Sequence, residues 1–219
     1  MEETKILSIQ VGLPKTIGGT HATDPTDKPW TTGIFKTPVC GPVWAGKFNL
    51  TGDAQADLSV HGGLHKAINA YPSEHYPYWK QHLHLPDMAY GAFGENLTTS
   101  GLLEDKVCIG DIFKAGEVII QISQPRQPCW KIERRWRIKD FSTFVKQTGK
   151  TGWYFRVLQE GYVDAGNTLV LTERSFPQWT VATAYMIMRN RRTNVKAALE
   201  LACCPALSPR WQENLILTK

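Results

Sequence analysis

A chain of 219 residues, 42% hydrophobic and with a formal net charge of +5, can build one large domain or one domain with a small appendage. No segment reaches the apolar length of a membrane span, and the polar start Met1-Glu2-Glu3-Thr4-Lys5 is not that of a secretory signal peptide. Five cysteines without paired zinc-type spacing fit a reduced, cytoplasmic protein, and so modest a charge does not by itself imply nucleic acid.

In chain order, the first predicted element is a strand at Ile6-Leu7-Ser8-Ile9-Gln10-Val11, ended by Gly12 and Pro14. Gly33-Ile34-Phe35-Lys36 is a second strand candidate, followed by a Pro/Gly-rich turn through Pro42. Tyr71 to Leu83 is aromatic and expected to be partly helical, with Pro72 or Pro77 near its first turn. Val107-Cys108-Ile109, Ile112-Phe113-Lys114 and residues 118–122 are further strands, the last reached through an Ala115-Gly116-Glu117 turn. A helix over Ile138 to Thr148 takes Asp140 as its cap and Gly149 as its stop. Leu169-Val170-Leu171 is another strand. Short strands at turn spacing predict a closed or nearly closed β-barrel.

From about Trp179 the apolar period turns helical, with Val181, Ala184, Tyr185 and Met188 on one face. Asn194 can cap a second helix that Pro205 ends, and Ser208-Pro209 can start a third. The expected class is mainly β with α: a barrel over residues 1–175 and a three-helix appendage over residues 176–219.

Cys129 is the most informative candidate for chemistry. Pro125 and Pro128 stiffen the backbone before it and withhold two ladder donors. It is expected at the rigid exit of a strand, with Arg126 and Lys131 close by. Cations near a thiol favour the thiolate, the form that attacks electrophiles and binds metals. A buried structural cysteine is the competing reading.

In Val60-His61-Gly62-Gly63 two adjacent glycines allow positive φ or close ligand approach. Their backbone N–H groups could cradle a phosphate, with Lys66 adding charge. A plain turn explains them equally well. Glu95 could act as acid or base if buried, and the Asn96 amide could read a heterocycle. The pairs His61/His65 and His82/His84 match no zinc framework. Lys131, Arg134, Arg135, Arg137 and Lys139, interleaved with Trp130 and Trp136, read as a solvated face or the rim of an anion site. Gly149 to Arg156 reads as a turn and an aromatic strand, or as a ligand-binding cluster.

The order of these pieces is more specific than any one of them. It runs Thr32-Gly33-Ile34-Phe35-Lys36; Gly52-Asp53, Asp57 and Val60-His61-Gly62-Gly63 with Lys66-Ala67; then Tyr71-Pro72, Glu74-His75-Tyr76 and Trp79. Phe93-Gly94-Glu95-Asn96-Leu97, Gly110-Asp111, Gln124-Pro125-Arg126, Pro128-Cys129, Gly149 and Gly152-Trp153 follow. This series resembles the MOSC family, named after the C-terminal domain of molybdenum-cofactor sulfurase. The likeness extends to its stand-alone bacterial branch associated with resistance to hydroxylaminopurine bases. It covers roughly residues 5–175, and the helical tail also looks like that branch's appendage.

The resemblance implies a mostly antiparallel β-barrel with a pocket for the molybdenum cofactor. Cys129 matches a cysteine that ligates molybdenum in related reductases, and soft thiolate suits a dithiolene-bound metal. Asn96 matches a polar position near the cofactor, and Lys36 and Lys66 match basic positions of that branch. Arg126 corresponds to a basic residue before the cysteine, although here Gln127 and Pro128 intervene.

The implied activity is reduction of N-hydroxylated compounds such as 6-hydroxylaminopurine. The sequence carries no flavin, haem or iron–sulfur signature, so electrons would come from a separate, flavin-containing reductase. The alternatives are sulfur transfer through a Cys129 persulfide and a non-catalytic cofactor-binding module. Oligomeric state stays open, with a homodimer as one option.

Overall fold

The structure, a computed structural model, describes residues 4–216. Residues 1–3 of the polar start and the last three residues of the expected appendage lie outside the described residues. The strands are β1 (Lys5–Val11), β2 (Lys15–Ile17), β3 (Trp30–Thr32), β4 (Thr37–Pro38), β5 (Val43–Ala45), β6 (Ile68–Pro72), β7 (Leu97–Ser100), β8 (Ile112–Ala115), β9 (Val118–Pro125), β10 (Trp153–Gln159), β11 (Gly161–Val163) and β12 (Val170–Glu173). The helices are α1 (Leu58–His61), α2 (Tyr76–His82), α3 (Lys131–Trp136), α4 (Phe141–Thr148), α5 (Val181–Arg189), α6 (Val195–Ala202) and α7 (Pro209–Ile216).

Eight strands form one curled sheet in the order β12-β8-β9-β10-β6-β7-β1-β4. Every neighbouring pair in it is antiparallel except β6–β7. The curl brings β1 back against the chain that enters β12. There Ile6 N donates to Asn167 O (3.0 Å) and Leu169 N donates to Thr4 O (2.9 Å). The sequence-derived fold class thus holds: a barrel-like, mostly antiparallel sheet with helices around it.

Two apolar clusters organise the interior. The first fills the sheet with Ile6, Phe113, Ile122, Trp153 and Phe155, and continues into the tail through Val181, Ala184, Leu201, Trp211 and Leu215. The second gathers Tyr71 of β6 with Tyr76, Trp79, Phe93, Phe141 and Val145. Tyr71 stacks on Phe93 at 4.1 Å between ring centroids, which fixes the loop leading into β7.

Several local expectations shift. Gly33 to Lys36 is not a strand; it connects β3 and β4. A Cβ on Gly33 would lie 2.6 Å from Ala54 O, so glycine lets two loops touch there. Residues 107–109 make only an isolated bridge, Cys108 to Thr180, instead of a strand. Tyr71 and Pro72 end β6, and the helix starts at Tyr76 with Pro77 in its first turn. The 138–148 helix begins at Phe141. Asp140 occupies its cap position at φ 61° with no side-chain cap bond. Glu133 instead accepts from Ser142 N (3.2 Å) and the Ser142 hydroxyl. Gly149 stops the helix at φ 71°, as expected.

The tail folds as the three predicted helices. Thr180 accepts from Thr183 N, and Asn194 from Ala197 N, as N-caps.

The basic run divides its roles: Lys131 lines a pocket, Lys139 is exposed, and the three arginines serve the fold. They lie on α3 and its C-terminal turn and clamp the segment between β2 and β4. Arg134 donates to the carbonyls of Pro25, Thr26 and Lys28. Arg135 is largely buried and donates to Ile34 O and Gly91 O, each at 2.6 Å. Arg137 pairs with Asp27. The arginine fork suits carbonyls that a loop leaves without strand partners.

Candidate functional site

Strands β6 and β10, with the residues just after β9, supply one wall of a pocket. Tyr154 of β10 pairs in register with Asn69 of β6 on one side and Gln124 of β9 on the other. Side chains alternate along a strand, so Trp153 and Phe155 enter the core while Tyr154 faces the pocket. The opposing walls come from residues 32–34 and 36, 54–56, and 93, 94 and 96. The pocket's cavity volume is about 80 Å³, below an open mouth.

Lys36, His61, Lys66, Asn96, Arg126 and Cys129 all line this pocket, together with Lys131. Gly62 and Gly63 do not. They face an adjoining groove beside α7, with Lys66, Arg210 and Asn214.

Cys129 lies in the segment between β9 and α3 and is half-buried, and Pro128 beside it is buried. Pro125 pairs with Trp153 at the end of the ladder, where a missing donor is tolerated.

Arg126 is 6% exposed and donates from Nη2 to Phe93 O at 2.5 Å. Its Nη1 is buried without a hydrogen-bond partner, and Arg126 forms no ion pair among the described residues. A buried guanidinium with an unused donor fits an anionic or carbonyl-bearing ligand. Asn69 Oδ1 is likewise buried and unpartnered in the same pocket, and offers an acceptor.

The other candidates are more committed to the fold. Lys36 Nζ pairs with Asp53 Oδ1, which also accepts from Gly12 N (3.0 Å). Burial pushes the Lys36 ammonium below its ordinary pKa, and the Asp53 carboxylate pulls it back. Asp53 Oδ2 is left without a partner. The Asn96 amide stitches strands: its oxygen accepts from Asn69 N (3.0 Å) and its nitrogen donates to Gln10 O (3.2 Å). Its neighbour Asn69 therefore presents the freer amide.

Lys66 Nζ donates to Val60 O, and burial followed by the Arg210 charge lowers its pKa. Glu95 is fully buried but does not line the pocket. It accepts from Tyr76 Oη, Gly91 N, Phe93 N and the Thr98 hydroxyl. The carboxylate therefore holds the 91–96 loop in shape; it does not face a substrate.

His61 is pushed down to about 4 by burial and by the charges of Lys131, Arg126 and Lys66. It is neutral at neutral pH and a weaker base than an ordinary histidine. The unfolded chain, with histidine near 6.5, binds more protons than the folded one between about pH 6.5 and 4. Stability is therefore present above pH 6.5 and falls as pH drops through this window. A His61→Gln variant is expected to show a shallower loss, read as urea midpoints from pH 7 to 4. Parallel curves for the two proteins would contradict the depressed value.

Among the described residues no three His, Cys, Asp or Glu side chains gather at one point. A metal at Cys129 would need most of its ligands from a cofactor. No described helix is long and apolar enough to cross a membrane.

Sequence reasoning held Tyr154 only within the Gly149 to Arg156 cluster, and it missed Asn69, whose place in a strand among core residues was the available signal. It also missed Arg210 and Asn214, which reach the site area from the tail with no local signal at all.

The MOSC domain model matches residues 57–170. The uncharacterised protein YflK of Bacillus subtilis is 41% identical over 218 residues, covering 100% of this chain and 96% of its own length. A Gibberella moniliformis protein named Reductase is 36% identical over 178 residues; the match covers 80% of this chain but 32% of that longer protein. The crystal structure of YiiM from Geobacillus stearothermophilus superposes with a TM-score of 0.79 at 43% identity, covering 97% of both chains.

Proposed function

The chain belongs to the MOSC domain family, and from that premise we propose that it binds the molybdenum cofactor and reduces N-hydroxylated compounds such as 6-hydroxylaminopurine to their amines. The observation that carries this reading is the pairing of a half-buried thiol with a buried guanidinium whose Nη1 has no protein partner. The fungal relative named Reductase supports the reaction class.

When bound, the cofactor supplies two-electron chemistry that takes the oxygen from an N–OH group; two electrons and two protons balance the conversion to amine and water. Cys129 would be the protein's ligand to the metal, since soft sulfur suits a dithiolene-bound centre. Arg126 would hold an oxyanion or carbonyl of the cofactor through its unused Nη1 donor, and Asn69 Oδ1 would accept from a ring N–H. Lys66 and Lys131 add positive charge to the pocket walls. His61, neutral, can accept a hydrogen bond without adding a further cation. The electrons come from a separate reductase of flavin type.

Protein purified from a host able to make the cofactor is expected to carry about one molybdenum and one pterin per chain. It should consume 6-hydroxylaminopurine anaerobically with an artificial electron donor. A protein without molybdenum but with a labile sulfur on Cys129 would overturn this reading in favour of sulfur transfer.

A further inference from the structure

Cys129 stands between two depressions. On one side is the pocket just described. On the other is a second cleft, which shares His61, Lys66, Cys129 and Tyr154 with the first and is closed by Arg210, Trp211 and Asn214 of α7. Arg126, Lys36, Asn69 and Asn96 belong only to the first pocket. The second cleft borders the groove of Gly62 and Gly63; the two have Lys66, Gln124, Arg210 and Asn214 in common. Cleft and groove therefore adjoin along α7, between the thiol and the paired glycines.

The chemistry changes along this stretch. Near Cys129 it offers the Tyr154 ring and the Gln127 amide, and further along the Asn214 amide. Neither amide has a hydrogen-bond partner among the described residues. Amides that can both donate and accept suit the edge of a planar heterocycle. At the far end it offers two cations and a backbone turn. Lys66 and Arg210 donate only to the carbonyls of Val60 and Ser59, and neither is ion-paired among the described residues.

Gly63 is at φ 96°, and a Cβ there would meet nothing within 4 Å, so its conformation and not crowding asks for glycine. The N–H group of Gly63 finds no acceptor among the described residues, and Gly62 caps the C-terminal end of α1. A backbone donor beside two cations forms an anion-binding concavity. Glu213 is the one carboxylate lining this groove among the described residues, and it is exposed.

We propose that the groove along α7 is the substrate site, and that it takes the N-hydroxylated base as a nucleotide, with the base against Cys129 and Tyr154 and the phosphate monoester at Gly62-Gly63 between Lys66 and Arg210. This rests on the reductase reading above. It gives the helical tail a role as specificity element, and it leaves the Arg126 side of the first pocket to the cofactor. The mutual repulsion of Lys66 and Arg210, which contributes to the lowered Lys66 pKa, is relieved when an anion lies between them.

The test has two arms. In the first, adenosine 5′-monophosphate and adenine are titrated calorimetrically into cofactor-free wild-type, Arg210→Gln, Arg210→Lys and Asn214→Ala proteins. The nucleotide is expected to bind the wild type at least about tenfold more tightly than the base does. Arg210→Gln should erase most of that preference and Arg210→Lys restore part of it. Asn214→Ala should weaken base and nucleotide alike.

In the second arm, cofactor-loaded proteins reduce 6-hydroxylaminopurine and its ribonucleoside 5′-monophosphate. Arg210→Gln should raise the nucleotide KM at least about tenfold more than the free-base KM, at unchanged molybdenum content. Equal affinity of the wild type for base and nucleotide overturns the proposal. Loss of cofactor from Arg210→Gln also overturns it, because the phosphate held there would then be the cofactor's. A loaded wild type that reduces neither compound defeats the reductase reading, while the titrations still judge the groove.

Discussion

A Cys129→Ser protein is expected to reduce N-hydroxylated substrate at least about 100-fold more slowly per bound molybdenum than the wild type. The sulfur is half-buried at the junction of two clefts, so the smaller serine side chain fits without crowding. Serine, however, presents a hydroxyl that stays protonated at neutral pH and ligates soft metals poorly. The cofactor's own contacts with the pocket would remain, so molybdenum content should fall far less than rate. Cys40 and Cys203 are exposed, and Cys108 and Cys204 are buried; none of the four lines the pocket. Their serine variants should keep the wild-type rate per molybdenum wherever they fold. A Cys129→Ser enzyme at wild-type rate would end the ligand assignment.

Replacing Arg126 by methionine should separate stability from function. The side chain is 6% exposed, has one backbone acceptor, Phe93 O, and leaves Nη1 unpartnered. Burying such a charge without an ion-pair partner costs more than the single hydrogen bond returns. The cofactor-free Arg126→Met protein is therefore expected to be as stable as the wild type or up to about 2 kcal/mol more stable in urea unfolding. Cofactor content should nonetheless drop at least about tenfold, since the unused donor is what a ligand oxyanion would take. A variant that loses stability but keeps its cofactor would show that Arg126 serves only to hold the 91–96 loop.

The pocket depends on a second layer of structure that no local pattern announces. Glu95 reads in the sequence as a candidate acid, yet four donors from separate segments converge on it and turn it into the anchor of a loop. Arg134 and Arg135 read as part of a charged run, yet α3 aims them at carbonyls about a hundred residues earlier. In both cases the side chain's role is set by partners distant in sequence.

The sequence by itself determined the alternation of short strands and turns, the three helices of the tail with the Asn194 and Ser208 starts of the last two, and the cysteine behind two prolines. These features are local: apolar period, caps and backbone restriction act within a few residues. Motif order along the chain carried the family, and with it Lys36, His61, Lys66, Asn96, Arg126 and Cys129 as a set that one pocket brings together. Only the tertiary structure decided which of these are free to act. It pairs Lys36 with Asp53, uses the Asn96 amide between strands, leaves Arg126 Nη1 open, and places Gly62 and Gly63 in a groove completed by α7. The reason is physical: whether a buried donor or acceptor is satisfied depends on what long-range packing sets against it, and residue type alone does not reveal that partner.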